Sequence, residues 1–217
     1  MKRKKINCKG SALVFLLFTI SVIVIIGSVA LSVSVMNYKM KKLNSQMKKA
    51  FYSSEAGIDE AYMMSRQFIS EAINYAFNKT KDYTEVEKQS RNVYSDMKDD
   101  LNDKNYTNEI FQSYFKNYLK GTCMDVDSTK GLINLLNNST SYLIYENGYP
   151  RIAASLIENP NDFLVEVKST YIYQNIKKEI VLKLKVDIPK YDDETIRFGA
   201  NVDELIHVID WKIEREI

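Results

Sequence analysis

The stretch Ser11-Ala-Leu-Val-Phe-Leu-Leu-Phe-Thr-Ile-Ser-Val-Ile-Val-Ile-Ile-Gly-Ser-Val-Ala-Leu-Ser-Val-Ser-Val-Met36 decides how the chain is read. It holds no charge and no proline. An uncharged, mostly apolar run of about 18 residues or more is long enough to cross a bilayer as a helix. At about 1.5 Å per residue the run spans roughly 39 Å, against a hydrocarbon core of about 30 Å. Lipid offers the backbone no partners, so a helix is the expected form.

Working outward, residues 1–10 form a basic leader with Lys2, Arg3, Lys4, Lys5, Lys9 and no acid. The whole chain carries +2, so the part from Asn37 onward carries −3. A mildly acidic outer part lacks the basic face that nucleic-acid binding needs, and no nucleic-acid partner is expected. The two cysteines, Cys8 and Cys123, flank the apolar run, so an internal disulfide is not expected. The roughly 180 residues beyond the run suffice for one packed core.

Three fates for the N-terminus follow from the residues. An uncut signal anchor is one. A secretory signal peptide cut after Ser28-Val29-Ala30 is another, although its apolar region would exceed the usual length. The third is a cut between Gly10 and Ser11, ahead of the apolar run. Lys39, Lys41, Lys42, Lys48 and Lys49 follow the span, which balances the five cations before it. The short, charge-dense N-terminal arm favours a cytoplasmic N-terminus with the larger part outside.

The helix is expected to continue beyond the span. Leu43, Met47, Phe51, Ile58, Ala61, Tyr62, Phe68, Ile69, Ala72, Ile73 and Ala76 recur mostly at steps of three or four once Ser54 and Ser65 are included. This predicts one helix from about Ala12 to about Asn78. Its first part, 11–36, is suited to lipid, and its second part, 37–78, is suited to packing on a head.

Lys9-Gly10 before Ser-Ala-Leu-Val-Phe-Leu-Leu, followed at a distance by Ala50-Phe51-Tyr52-Ser53-Ser54-Glu55-Ala56-Gly57-Ile58, resembles the N-terminus of PilX-type minor pilins, within the type IV pilin and pseudopilin class. The resemblance covers about residues 1–60. It implies cleavage after Gly10 by a prepilin peptidase, N-methylation of Ser11, and extraction of the mature subunit from the membrane into a pilus. The implied partners are that peptidase, other pilins and minor pilins, the assembly machinery and the membrane. Phe15, Gly27, Phe51, Glu55 and Gly57 are the expected subunit-packing positions. The sequence departs from most major pilins by carrying Phe15 where they carry Glu as the fifth mature residue, and Ser11 as the first. In the class that Glu is thought to neutralise the amino terminus of a neighbour, and a buried charge needs a partner. The departure points to a minor, tip-located or assembly-initiating subunit. Without the resemblance, Glu55 reads as a solvated helix residue, and Gly57 as one that weakens the helix by about 1 kcal/mol.

After Asn78 a loop is expected at Lys79–Tyr83, then a helix capped by Thr84 and running through Val86, Val93, Tyr94, Met97 and Leu101. A polar break at Asn102–Tyr106 precedes a third helix capped by Thr107 and ended by Lys120-Gly121. Leu132–Leu136 reads as a short fourth helix, so 79–140 is a helical insertion. Residues 141–217 read as antiparallel sheet. Ser141–Tyr145 and Ile152–Leu156 flank Asn147-Gly148, a favoured hairpin pair, and Asn159–Asp162 is a turn. A two-residue turn at Gln174-Asn175 sets Val165 opposite Leu184, Val167 opposite Leu182 and Glu166 opposite Lys183. Ile209, Trp211, Ile213 and Ile217 mark a last strand. The expected fold is α+β: a long helix, extra helices and a C-terminal antiparallel sheet.

The residues show no catalytic constellation. His207 has no cysteine beside it and reads as a surface or packed histidine. Asp99-Asp100 with Asp103, Asp125 with Asp127, and Asp192-Asp193-Glu194 lack the spacing of a calcium loop and read as solvated surface. No cofactor, metal or enzyme activity is expected. A signal-anchored surface protein with a ligand-binding or sensing outer part is the competing reading, and a secreted domain cut after Ala30 is a third.

Overall fold

A computed structural model of the chain describes residues 9–91, 104–123, 131–138, 150–191 and 202–214. They belong to two compact units, Met1–Lys48 and Lys49–Ile217. Helix α1, Lys9–Arg91, supplies the described part of the first unit and opens the second. The second adds α2 (Lys104–Lys120), α3 (Leu132–Asn138), β1 (Arg151–Glu158), β2 (Asp162–Tyr173), β3 (Ile176–Asp187), a single turn α4 (Val202–Leu205) and β4 (Ile206–Glu214). The four strands form one antiparallel sheet in the order β1-β2-β3-β4. This is the α+β arrangement the sequence predicts.

In the first unit nothing among the described residues covers the apolar stretch. From Ala12 to Tyr38 every side chain is exposed except the partly covered Thr19. The stretch is long and apolar enough to cross a membrane.

The second unit is built on a buried face of α1 that is narrow in side-chain size. Ala50, Ser53, Ser54, Gly57, Ala61, Ser65, Ala72, Ala76 and Thr80 are buried along it, with Ile58, Phe68, Ile69 and Ile73 between them. Small side chains let the helix backbone approach its neighbours. The hydroxyls are satisfied locally: Ser65 Oγ donates to Ala61 O at 2.7 Å, and Thr80 Oγ1 to Ala76 O at 2.7 Å. Ser54 Oγ lies 3.1 Å from Ala50 O and 3.0 Å from Lys178 O on β3. Phe111, Phe115 and Leu119 of α2, Leu132 and Leu136 of α3, and Phe163, Val165, Val167, Ile180, Leu182, Leu184 and Val186 of the sheet complete one core. Each large side chain removed from water there contributes roughly 1.5–3 kcal/mol.

The strand register matches the expectation. Val165 pairs with Leu184, Val167 with Leu182, and Glu166 with Lys183, whose Nζ lies 3.0 Å from Glu166 Oε2. Gln174 and Asn175 hold φ of 47° and 69°, the left-handed pair that a two-residue hairpin turn requires. Asn159 N donates to Asp162 O at 2.9 Å, closing the β1–β2 turn.

Several boundaries differ from the expectation. α1 does not stop at Asn78, and Lys79–Tyr83 is helix rather than loop. No glycine or proline interrupts the chain from Ile58 to Arg91, and buried Thr80 holds that turn to the core. Thr84 is therefore not an N-cap, and its Oγ1 donates back to Lys81 O at 2.8 Å. Helix α2 begins at Lys104, ahead of the expected cap at Thr107, because Lys104, Asn105 and Tyr106 are polar but compatible with a helix. Its end is as expected: Gly121 has φ 75°, Gly121 N donates to Tyr118 O at 3.1 Å, and Thr122 N to Asn117 O at 3.0 Å. Val93 to Leu101, the Ser141–Tyr145 strand, the Asn147-Gly148 turn, Ile217 and the three acidic clusters lie outside the described residues. Among the described residues no group of three or more His, Cys, Asp and Glu side chains is placed to hold a metal ion.

Candidate functional site

The apolar stretch of α1 is the first part of the site. Its polar atoms are turned inward along the helix rather than outward. Thr19 Oγ1 lies 3.1 Å from Phe15 O and 2.9 Å from Leu16 O. Ser21 Oγ donates to Leu17 O at 2.8 Å, and Ser28 Oγ to Ile25 O at 2.8 Å. Ser32 Oγ donates to Ser28 O at 2.9 Å, and Ser34 Oγ to Ala30 O at 3.0 Å. Every hydroxyl from Ala12 to Met36 thus has a carbonyl partner on its own helix. That removes the main penalty for placing serine and threonine in lipid or in a dry helix bundle.

Gly10 and Ser11 lie in the first turn of α1. Phe15 is 69% exposed, and a Cβ built on Gly27 meets nothing within 4 Å. Both positions are open, in the first unit. The other three predicted packing residues lie in the second unit, on α1. Phe51 is half-buried, with its ring edge-on to Trp211 of β4 at 6.5 Å and to Tyr52 at 5.5 Å. Glu55 is half-buried. Gly57 is buried, and the reason lies within the chain. A Cβ there would come within 2.9 Å of Pro150 Cβ and closer still to Ser169 Oγ on β2. The glycine is required by contact between α1 and its own sheet, without a neighbouring subunit. Ser169 Oγ, facing this notch, is buried with no hydrogen-bond partner among the described residues.

Sequence reasoning missed three features of this unit. Glu179 is buried and held by Lys168, by Lys177 Nζ at 3.4 Å and by Thr170 Oγ1 at 3.2 Å. The run Lys177-Lys178-Glu179 on β3 gave no hint that its carboxylate would be enclosed. His207 Nε2 lies 3.0 Å from Asp187 Oδ2, and Lys185 Nζ lies 2.7 Å from Asp187 Oδ1. The hydrogen bond from Lys185, with a further one from His207, holds the Asp187 carboxyl below its ordinary value despite some burial. That pairing was readable only once β3 and β4 were in register. Finally, Ile209, Trp211 and Ile213, which mark the last strand, are 55%, 42% and 42% exposed. β4 is an outer strand: its Ile206 is buried in the core, whereas Val208, Ile209, Trp211 and Ile213 are exposed.

Comparison with known proteins yields no relative: no family model matches the chain, no curated protein is similar to it, and no solved structure matches it.

Proposed function

We propose that the chain is a minor type IV pilin-like subunit that enters, primes or caps a pilus through its apolar N-terminal helix. The observation that carries this reading is the exposed, internally hydrogen-bonded stretch Ala12–Met36 on the same helix that forms the core of a folded α+β unit. A helix of this kind suits two surroundings in turn: lipid while the subunit waits, and neighbouring helices once it is extracted. The basic leader sits in the cytoplasm and the unit Lys49–Ile217 outside.

In this reading prepilin peptidase cuts between Gly10 and Ser11 and the new amino group of Ser11 is methylated. Phe15 cannot neutralise a neighbour's terminal ammonium, which suits a tip or initiating position better than the bulk of a filament. Gly27 and Phe15 face neighbouring helices, and the exposed side of Phe51 and Tyr52 faces a neighbouring head. The partners are the peptidase, other pilins and the assembly machinery.

Gly10→Val tests the proposal in cells. The expected outcome is an unprocessed chain held in the membrane and loss of piliation. Unchanged processing together with unchanged piliation contradicts it and leaves the signal-anchored surface protein as the better reading.

A further inference from the structure

The two edges of the sheet are treated differently. At the β1 edge the Asn137 side chain of α3 occupies the outward backbone groups: Ala154 N donates to Asn137 Oδ1 at 2.6 Å, and Asn137 Nδ2 donates to Ala154 O at 3.3 Å. A side-chain amide there takes the place of another strand. At the β4 edge no chain segment pairs outward among the described residues. That edge carries exposed Val208, Ile209, Trp211 and Ile213. An open apolar edge is a template for another strand unless charge, bulge or cover blocks it. The bulge that β4 does contain falls at Ile209, its fourth residue: Leu184 pairs with Val208 and Lys183 with Asp210, leaving Ile209 unopposed. From Asp210 to Glu214 the strand is regular.

The residues along this edge are self-complementary. Reading the regular run Asp210-Trp211-Lys212 against itself antiparallel, about Trp211, sets Asp210 opposite Lys212 and Trp211 opposite Trp211, with Ile213 reaching the bulged Ile209 at each end. An isologous contact requires this: each off-axis pair occurs twice across the twofold axis, and Trp211 on the axis meets its own copy. Asp210 and Lys212 lie on one face of the strand and already attract one another at 2.6 Å within it. Cross-strand opposite-charge and aromatic pairs are the contacts that stabilise an antiparallel edge.

We propose that β4 pairs antiparallel with β4 of a second copy of this chain, centred on Trp211, joining the two sheets into one. The contact is short, so the dimer is reversible rather than permanent. It is independent of how the N-terminal stretch is processed.

The full chain, purified in mild detergent, tests this by sedimentation. The wild type sediments with twice the monomer's protein mass. Asp210→Lys places two lysines opposite each other, and Lys212→Asp places two aspartates opposite each other. Each variant alone is therefore monomeric, with association at least about tenfold weaker. Mixed in equal amounts they recover the dimer, because every pair across the mixed edge is then opposite in charge. A monomeric wild type overturns the proposal and leaves the edge to a different chain. Dimers that persist in both single variants, as contacts between apolar helices would, also overturn it. A second measurement covers variants that fold poorly. In a Cys8→Ser background, Trp211→Cys forms an interchain disulfide under mild oxidation, since directly opposite Cα atoms stand about 4.5–5.5 Å apart. His207→Cys does not. Absence of the Trp211→Cys crosslink, or equal crosslinking at both positions, contradicts the register.

Discussion

Helix α1 contains two stretches that reverse the usual link between size and burial. Residues 12–36 carry Phe, Leu, Ile and Val and are open, whereas the buried face of residues 50–80 is built largely from Ala, Ser, Gly and Thr. Large side chains are open where no part of the described chain covers them, and small ones are enclosed where the sheet and α2 press on the backbone. The difference suits the two stretches to different surroundings. In the first, the helix is apolar enough to cross a membrane and makes its own polar contacts. In the second, it must leave room for its neighbours.

Paired substitutions test that contrast, and Trp211, the single tryptophan, reports unfolding of the second unit by fluorescence. The largest difference is expected between two phenylalanines. Phe115→Ala should destabilise the unit by about 3–5 kcal/mol in urea unfolding, because Phe115 is fully buried. Phe15→Ala should leave the same transition where it is. An equal effect of both would erase the contrast. Next come two charge insertions. Ile23→Asp places an acid at the centre of the span, which costs about 2.5–3.5 kcal/mol of membrane insertion and should appear as protein released by alkaline carbonate. Met63→Asp, on an exposed face of the same helix, should leave retention unchanged.

The third pair is glycine. Gly57→Ala should cost about 1–3 kcal/mol, because Pro150 and Ser169 leave no room for a methyl group. Gly27→Ala meets open space and should raise helix stability by up to about 1 kcal/mol. The smallest effect concerns Asp187. Its carboxyl is held below the ordinary range in the folded chain by Lys185 and His207, so its contribution is present above the unfolded value and lost as pH falls through the folded one. Asp187→Asn should therefore lower stability near neutral pH by less than about 1 kcal/mol, since the pair is partly solvent-exposed, and the deficit should begin to shrink below about pH 4 and vanish only once pH is below the lowered folded value. A deficit that grows in acid would mean the sign is wrong.

How much of this was legible in the sequence depended on whether a signal was local. The β2–β3 register could be read because Val165, Val167, Leu182 and Leu184 alternate around a two-residue turn, and only one pairing aligns both faces. The C-terminal cap at Gly121 was readable for the same reason. The extent of α1 was not, because a run such as Lys79-Thr-Lys-Asp-Tyr83 is polar without breaking a helix. The exposure of Ile209, Trp211 and Ile213 was also hidden. Alternation identifies a strand but does not say whether anything lies across it. Gly57 was singled out by resemblance, yet the physical cause of the glycine is a contact with Pro150 and Ser169, about a hundred residues away in sequence. Among the candidate site residues, Phe15 and Gly27 could be located on the apolar helix from the sequence. The contact of Phe51 with Trp211 required the fold.

We propose Ser11–Met36 as a processed packing element rather than a permanent anchor. Mass spectrometry of the mature N-terminus in the native membrane tests it most directly. The expected result is a chain beginning at Ser11 with a methylated amino group. A chain beginning at intact Met1, or at Leu31 after removal of the apolar segment, would contradict it.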